Sequence, residues 1–389
     1  MKSRKYLIVI FLMCTPLILN ITGCWNQREL NSLAIVMGLG IDKAQEPNQI
    51  QVTAQIANPK ALKSSSLGGP DSQAFWNIQN TGDTLFSILR DFTHESNRKL
   101  YFPHIQVLIL GRNYAEEGIQ KELDFFARDH ETRLNIWLVV SEGNARDVLN
   151  IKPVIDRIPA INISKLLDDQ DPNSQTSTSQ LNDFLSDLIS PTTAPTAPLV
   201  EIIRKGGNES LQVKGTAVFK GDKLVGELNK YETRGLLWAR DEVKSGIIDV
   251  ECPECGSKVS LEIIDSKTKV SAEIVDNQVV MKVYIQEKGA LAAQYCAENL
   301  RTKEKVAAIE RNKAAAIQDE VLAAFKKAQE FNADIFGFGE IVRKKHLKEW
   351  KNMQEHWDEI FPEIIVEVTV DASIERSGRI HYPPVTDKE

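Results

Sequence analysis

The chain has 389 residues, with 47 Lys and Arg against 54 Asp and Glu, a net charge of −7 and 42% hydrophobic residues. That length and apolar content predict about two or three packed domains and exclude a fibrous or disordered chain. The acidic balance excludes binding by charge alone to nucleic acid or to an anionic membrane surface.

A basic tip (Lys2, Arg4, Lys5) leads into an apolar run from Tyr6 to Ile21 and ends at Thr22-Gly23-Cys24. Positive tip, apolar middle and small closing residues are the layout of a secretory signal. The apolar run is too short and too abruptly stopped for a comfortable membrane span. A cysteine directly after Thr-Gly has the pattern of a bacterial lipobox. Residues 1–23 are therefore expected to be a cleaved signal peptide. The Cys24 thiol is expected to carry a diacylglycerol that anchors the mature chain; the competing reading is an ordinary signal with a chance cysteine. Losing three cations from a net charge of −7 leaves the 366 residues from Cys24 to Glu389 at −10. No apolar run of spanning length follows residue 23.

Residues 24–200 read as an α/β domain. Leu33–Asp42 has the pattern of a buried strand and Gln49–Ile56 of a half-exposed partner. Pro59–Asp71, rich in Ser, Gly and Pro, reads as a loop. Strands are predicted at Phe75–Gln79, Ile105–Gly111 and Leu134–Val140. They interleave with helices at Thr84–Thr93, Ala115–Asp129 and Asn144–Leu149. Gly38-x-Gly40 lacks the third glycine and the following helix of a nucleotide fingerprint, so it gives no nucleotide site. Asp168–Gln180 is a polar loop before a helix at Leu181–Ile189. Pro191–Pro198 reads as a stiff connection between domains.

Residues 208–258 are expected to form a small middle domain. Val213–Phe219 and Lys223–Val225 flank a turn at Lys220-Gly221-Asp222. A helical stretch at Leu228–Trp238 and a strand at Gly246–Glu251 follow. Residues 259–389 are expected to form an α+β domain. Its predicted strands are Val259–Asp265, Lys269–Val275 (joined at Ser266-Lys267) and Val279–Gln286. A long amphipathic helix is read within Leu291–Phe331, its apolar stripe interrupted by Lys313. Packing on the neighbouring sheet is preferred for it over a coiled-coil partner. A second helix carries Trp350 and Trp357 on one face, Glu363–Ala372 is a returning strand and Gly378 marks the final turn. The fold class is thus α/β and α+β, with about three domains, mixed sheets flanked by helices and a long helix in the C-terminal domain.

Of the five cysteines, Cys14 leaves with the leader and Cys24 takes lipid. Cys252-Pro253-Glu254-Cys255 looks like half of a zinc ribbon, but no second knuckle exists and Cys296 stands alone. A strand-like run follows it, where a redox pair would open a helix. A short disulfide across the turn, or free thiols, is the expectation, ahead of metal or redox use. The six histidines form no metal-spaced pair, and His346 and His356 fall on different helix faces. No Gly-x-Ser-x-Gly, Ser-x-x-Lys, His-Glu-x-x-His or P-loop occurs. Catalytic residues, cofactor and metal are accordingly all expected to be none.

Gly23-Cys24-Trp25-Asn26-Gln27-Arg28-Glu29-Leu30, followed by Leu33–Val36 and Gly40-Ile41-Asp42, resembles the mature N-terminus of the Ger(x)C family, the lipoprotein C subunits of spore germinant receptors. Gly215-Thr216-Ala217-Val218-Phe219 with Lys223–Gly226, Glu232-Thr233-Arg234-Gly235, and Ala333–Gly339 with Trp350 and Trp357 extend the resemblance over nearly the whole chain. It implies a three-domain α/β arrangement without catalysis. It also implies partnership with integral-membrane A and B subunits, and an anchor on the outer face of the cell membrane, in the spore the inner membrane. The implied role is in nutrient-triggered germination, with direct nutrient binding left open. Only Cys24 transfers as a functional residue; the three internal motifs read as structure ahead of partner contacts. The loop 168–180 and the Cys252/Cys255 pair match nothing in the family pattern. The alternatives are a substrate-binding lipoprotein of a transporter, for which two similar lobes are expected, and an extracytoplasmic enzyme.

Overall fold

The computed structural model describes Tyr6 and residues 32–59, 61, 73–128, 132–153, 155–253, 256–276, 278–295, 300 and 302–376. The leader with Cys24, most of the loop 59–71, Cys255, Cys296 and Gly378 lie outside the described residues. No helix among the described residues is long and apolar enough to cross a membrane.

The first nine strands are β1 (Leu33–Lys43), β2 (Ile50–Ala57), β3 (Phe75–Gly82), β4 (Lys99–Tyr101), β5 (Val107–Gly111), β6 (Trp137–Ser141), β7 (Thr196–Lys205), β8 (Asn208–Lys220) and β9 (Lys223–Leu228). They form one sheet in the order β3-β2-β1-β5-β6-β7-β8-β9, with β4 beside β1. The central strands β1, β5, β6 and β7 run parallel. Antiparallel ribbons, β2–β3 and β8–β9, flank them. Leu108 and Leu110 belong to one core and Val107 and Ile109 to another, all fully buried. Alternation of apolar residues onto both faces obliges helices to cover both. Six helices do so: α1 (Leu85–Glu95), α2 (Arg112–Glu117), α3 (Gln120–Arg128), α4 (Ala145–Asn150), α5 (Pro159–Asp168) and α6 (Leu181–Leu188). Residues of α1, α2, α3 and α6 fill one core and those of α4 and α5 the other.

Gly38 and Gly40 serve close packing in β1. A Cβ on Gly38 would lie 2.8 Å from the Ala160 Cβ, and one on Gly40 would lie 3.0 Å from the Ala145 Cβ. Gly38→Val is expected to lower stability by about 1–3 kcal/mol through overpacking, read as a lower midpoint in thermal unfolding. The single helix expected over Ala115–Asp129 is two. Gly118 breaks it at φ +126, and Ile119 N there donates to Asp222 O at 3.1 Å. The β8–β9 turn, with Gly221 at φ +58, is docked on that break. β2 is buried on both faces, because Thr53 and Gln55 lie under helices and not in solvent.

The second sheet holds β10 (Gly246–Glu251), β11 (Lys258–Val275), β12 (Gln278–Gln294) and β13 (Ile365–Arg376), in that order. The first three form an antiparallel meander, and β13 returns parallel to β12. The turn expected at Ser266-Lys267 is absent. A register shift between Ile263 and Asp265 absorbs the irregularity, and β11 continues as one strand. One face of this sheet is packed by α7 (Lys230–Ala239), α8 (Lys303–Phe331), α9 (Phe338–Lys345), α10 (Leu347–Met353) and α11 (Trp357–Ile360). The helix α8 is 29 residues long, capped by Thr302 and closed by Asn332 in the left-handed region. Its stripe Ile309, Ile317, Val321, Ala324 and Ala328 is buried against the sheet and α7, the intramolecular use expected. Trp350 and Trp357 sit on separate short helices, and their rings meet at 5.3 Å.

Residues 208–258, expected as a middle domain, are divided between the two sheets. β8 and β9 complete the first, β10 opens the second, and α7 connects them. Nor is Pro191–Pro198 a free connection. Ala194 N donates to Asp334 O at 2.9 Å and Phe219 N to Pro195 O at 3.0 Å, so both lobes grip it. The polar loop 168–180 is a loop as expected, yet Ser174, Thr176, Ser177 and Ser179 are buried in it. Gly215 N and Leu138 N donate to its carbonyls, which makes the loop a cover for the sheet's backbone.

Candidate functional site at the junction of the two lobes

Cys24, the one site residue read from the sequence, lies outside the described residues. The three internal motifs converge on one place, the joint where the first sheet meets the second core. Gly215 in β8 has φ +66, and a Cβ there would meet Leu228 O at 2.6 Å. One residue on, the Thr216 hydroxyl bonds the Thr233 hydroxyl at 3.0 Å, tying β8 to α7. Asn229 caps α7, and the Glu232 side chain returns the bond to Asn229 N at 2.8 Å, a capping box.

Arg234 and Gly235 face α8. A Cβ on Gly235 would lie 1.9 Å from Glu320 O, so the two helices touch backbone to backbone at this glycine. There Arg234 and Glu320, 7% and 2% exposed, form a two-pronged ion pair. Arg234 Nη1 also donates to Ile247 O at 2.8 Å, and Trp238 Nε1 donates to Glu320 Oε2 at 2.9 Å. Each nitrogen of the Arg234 guanidinium and the Trp238 indole N–H thus has an acceptor, which is what lets a buried pair be tolerated.

The third motif supplies the other half of the joint. Asp334 is buried and accepts from Phe338 N at 3.0 Å, Gly339 N at 2.8 Å and Trp357 Nε1 at 3.2 Å. It caps α9 and fixes the tryptophan beneath. Burial pushes its carboxyl up to about 6, against the pull of those N–H donors. Gly339 is pinned between Thr192 and Trp357, where a Cβ would meet atoms at 2.7 and 2.8 Å. Arg240, just beyond α7, donates to Ile335 O at 2.9 Å and to the Thr196 hydroxyl of β7 at 3.3 Å. Phe336 stacks on Phe338 at 4.9 Å.

A surface cleft of about 640 Å3 opens beside the joint, between Asp187, Ser190 and Pro191 of the first lobe and Arg343, Trp350 and Gln354 of the second. Burial raises the Asp187 carboxyl there. Arg343 is engaged by Glu340. The joint itself is chemically closed: Arg234, Glu320 and Asp334 are spent on bonds inside the second lobe, and Arg240 reaches Thr196 of the first. Among the described residues no group of three or more His, Cys, Asp or Glu could hold a metal ion. Cys252 is buried and free. His346 Nε2 lies 3.0 Å from Ala272 O, and His356 lies 3.4 Å from Glu359 on the surface.

Several residues position this framework through contacts that no local pattern predicts. Asp42, 2% exposed at the end of β1, accepts from Ala145 N at 2.7 Å and Arg146 N at 2.9 Å and so caps α4 from 103 residues away in sequence. Burial nevertheless raises its carboxyl. Gln55 accepts from Ala160 N at 3.0 Å and donates to Leu149 O at 2.7 Å. Glu320, 2% exposed, carries no local signal of its burial on α8.

Two family models match the chain: "Spore germination protein N-terminal domain" over residues 26–202 and "Spore germination B3/ GerAC like, C-terminal" over residues 214–378. The boundary between them falls in the β7–β8 ribbon. Among proteins of Bacillus subtilis (strain 168), the chain is 27% identical to spore germination protein KC, covering 98% of each chain. It is 26% identical to spore germination protein YndF, covering 97% of this chain and 98% of that one, and 26% identical to spore germination protein B3, covering 98% and 100%. The crystal structure of the GerBC protein superposes with a TM-score of 0.56 at 20% identity, over 87% of this chain and 97% of that one.

Proposed function

The chain belongs to the Ger(x)C family of spore germination proteins, and from that premise we propose that it is the lipid-anchored, non-catalytic subunit of a germinant receptor complex. One observation carries this reading: both family halves match in order, and the three motifs that mark the resemblance meet at a single joint. A joint whose charged side chains are all engaged by other groups of the protein suits a part that transmits or supports, not one that turns over a substrate. The two lobes are also unlike, a nine-stranded mixed sheet and a four-stranded one, which argues against two matching halves closing on a transported solute. In the proposed complex the subunit stands on the outer face of the membrane, in the dormant spore the inner membrane, beside integral-membrane A and B subunits. Cys24 holds it there through acyl chains, each buried methylene worth about 0.8 kcal/mol.

Cys24→Ala tests this directly. The variant should leave the membrane fraction of spores for the soluble one, and nutrient-triggered germination should fall with it. Retention in the membrane would sink the lipid anchor. Release with normal germination would sink the receptor role and return the solute-binding reading.

A further inference from the structure

A groove runs over the first lobe between α1 and α3. Its narrower part, about 360 Å3, is walled by Leu89, Leu100 and Phe102, and its wider part, about 650 Å3, is rimmed by Lys121 and Asp124. Phe86, Arg90 and Phe125 line both. The Phe86 ring is 52% exposed, with the Arg90 guanidinium 4.8 Å above its centre and the Phe125 ring 6.1 Å away. Phe86 of α1 and Phe125 of α3 thus give the groove an apolar lining open to solvent.

The backbone says what lies nearest to it. β1 enters the sheet in parallel register with β4, Leu33 beside Lys99 and Ala34 beside Leu100. The described chain thus enters β1 beside Lys99, which with Thr93 lines the narrower part of the groove. Seven residues, Trp25-Asn26-Gln27-Arg28-Glu29-Leu30-Asn31, separate Cys24 from Ser32. Extended, they span about 25 Å, while the eleven residues of α1 cover only about 16 Å. The segment is long enough to follow α1 from end to end. It carries two apolar side chains, Trp25 and Leu30, that match the apolar wall. It also carries Arg28 and Glu29, charges that complement a rim of Arg90, Lys121 and Asp124.

We propose that residues 25–31 of this chain occupy the α1–α3 groove, with Leu30 at the narrow end and Trp25 toward Phe86. The assignment rests on strand register and chain length and not on acylation of Cys24. With Cys24 acylated, it fixes the α1–α3 face as the face turned to the membrane, because the anchor then leaves from the groove itself.

The test uses the mature protein in detergent micelles. Leu30→Cys with Phe102→Cys should give a disulfide on mild oxidation, found as a cross-linked peptide by mass spectrometry. Trp25→Ser with Leu30→Ser should speed amide exchange across residues 85–95 and 120–128 by about tenfold or more. Absence of the cross-link overturns the proposal, whatever the exchange rates show. Groove amides that slow only when phospholipid vesicles are added overturn it in favour of a lipid occupant. The cross-link together with faster exchange in the serine variant establishes it.

Discussion

Glu320→Ala should cost the mature protein about 3–5 kcal/mol, the range for removing one partner of a buried pair. The reason is local. Arg234 Nε and Trp238 Nε1 both donate to Glu320 Oε2, at 2.8 and 2.9 Å, in a site only 2% exposed. Deleting the carboxylate strands a guanidinium and an indole N–H together. Arg234 keeps only Ile247 O as a described acceptor. Water has no easy way in, because α7 and α8 touch through Gly235 and the Glu320 backbone. The loss is large against a total of about 5–15 kcal/mol, and it falls on the joint between the lobes. The expected readout is a lower urea midpoint with faster proteolysis after α7, at the exposed Asp241, Glu242 and Lys244. Arg234→Met with Glu320→Leu should recover much of the loss, since two matched apolar side chains leave no buried charge. A single-variant cost below about 1 kcal/mol would mean that the pair is wet and that the joint is held by packing alone.

The order of elements was readable in the sequence because each carries its period. Alternation in β1 and β12 and the stripe on α8 are properties of neighbouring residues. What stayed hidden depends on residues far apart. Nothing near 208–258 says that β8 and β9 join the first sheet while β10 joins the second; that choice is made by β7, which pairs with β8 from Thr196 to Lys205. Pro191–Pro198 has a linker's composition, and contacts from Asp334, Phe219, Arg240 and β8 make it part of the core. The same holds for the site. Gly215, Gly235 and Gly339 stand out as motif residues, and their glycines could be read as structural. The residues that explain them (Leu228, Glu320 and Thr192) come from other elements and carry no local signal. Lys313 is the clearest case. It looked like a break in the stripe of α8 and is instead fully buried on that stripe.

Lys313→Met should cost about 3–5 kcal/mol near pH 8 and far less near pH 5, and the difference identifies the group responsible. Lys313 Nζ is paired with Glu287 of β12, both with fully buried side chains. Gly289, two residues along β12, leaves the room, since a Cβ there would lie 2.1 Å from that nitrogen. Burial raises the Glu287 carboxyl to about 7, against the pull of Lys313, and burial lowers the Lys313 ammonium. The folded value for Glu287 is above its ordinary value of 4.5. The native state therefore holds this proton more tightly than the unfolded chain does, and its contribution to stability falls as pH rises from about 4.5 through about 7. In the methionine variant both attractions that lowered the carboxyl are gone. Its proton is held more tightly still, the slope extends past pH 7, and the unpaired carboxylate is felt only where it must ionise. Glu287→Leu with Lys313→Met should erase the slope and restore most of the stability, because the Glu287 Oε2 atom, which has no partner even in the native pair, disappears with it. Equal losses at pH 5 and pH 8 would show that Lys313 acts through its packed methylenes and not through Glu287. Urea unfolding of the two variants at the two pH values decides between these.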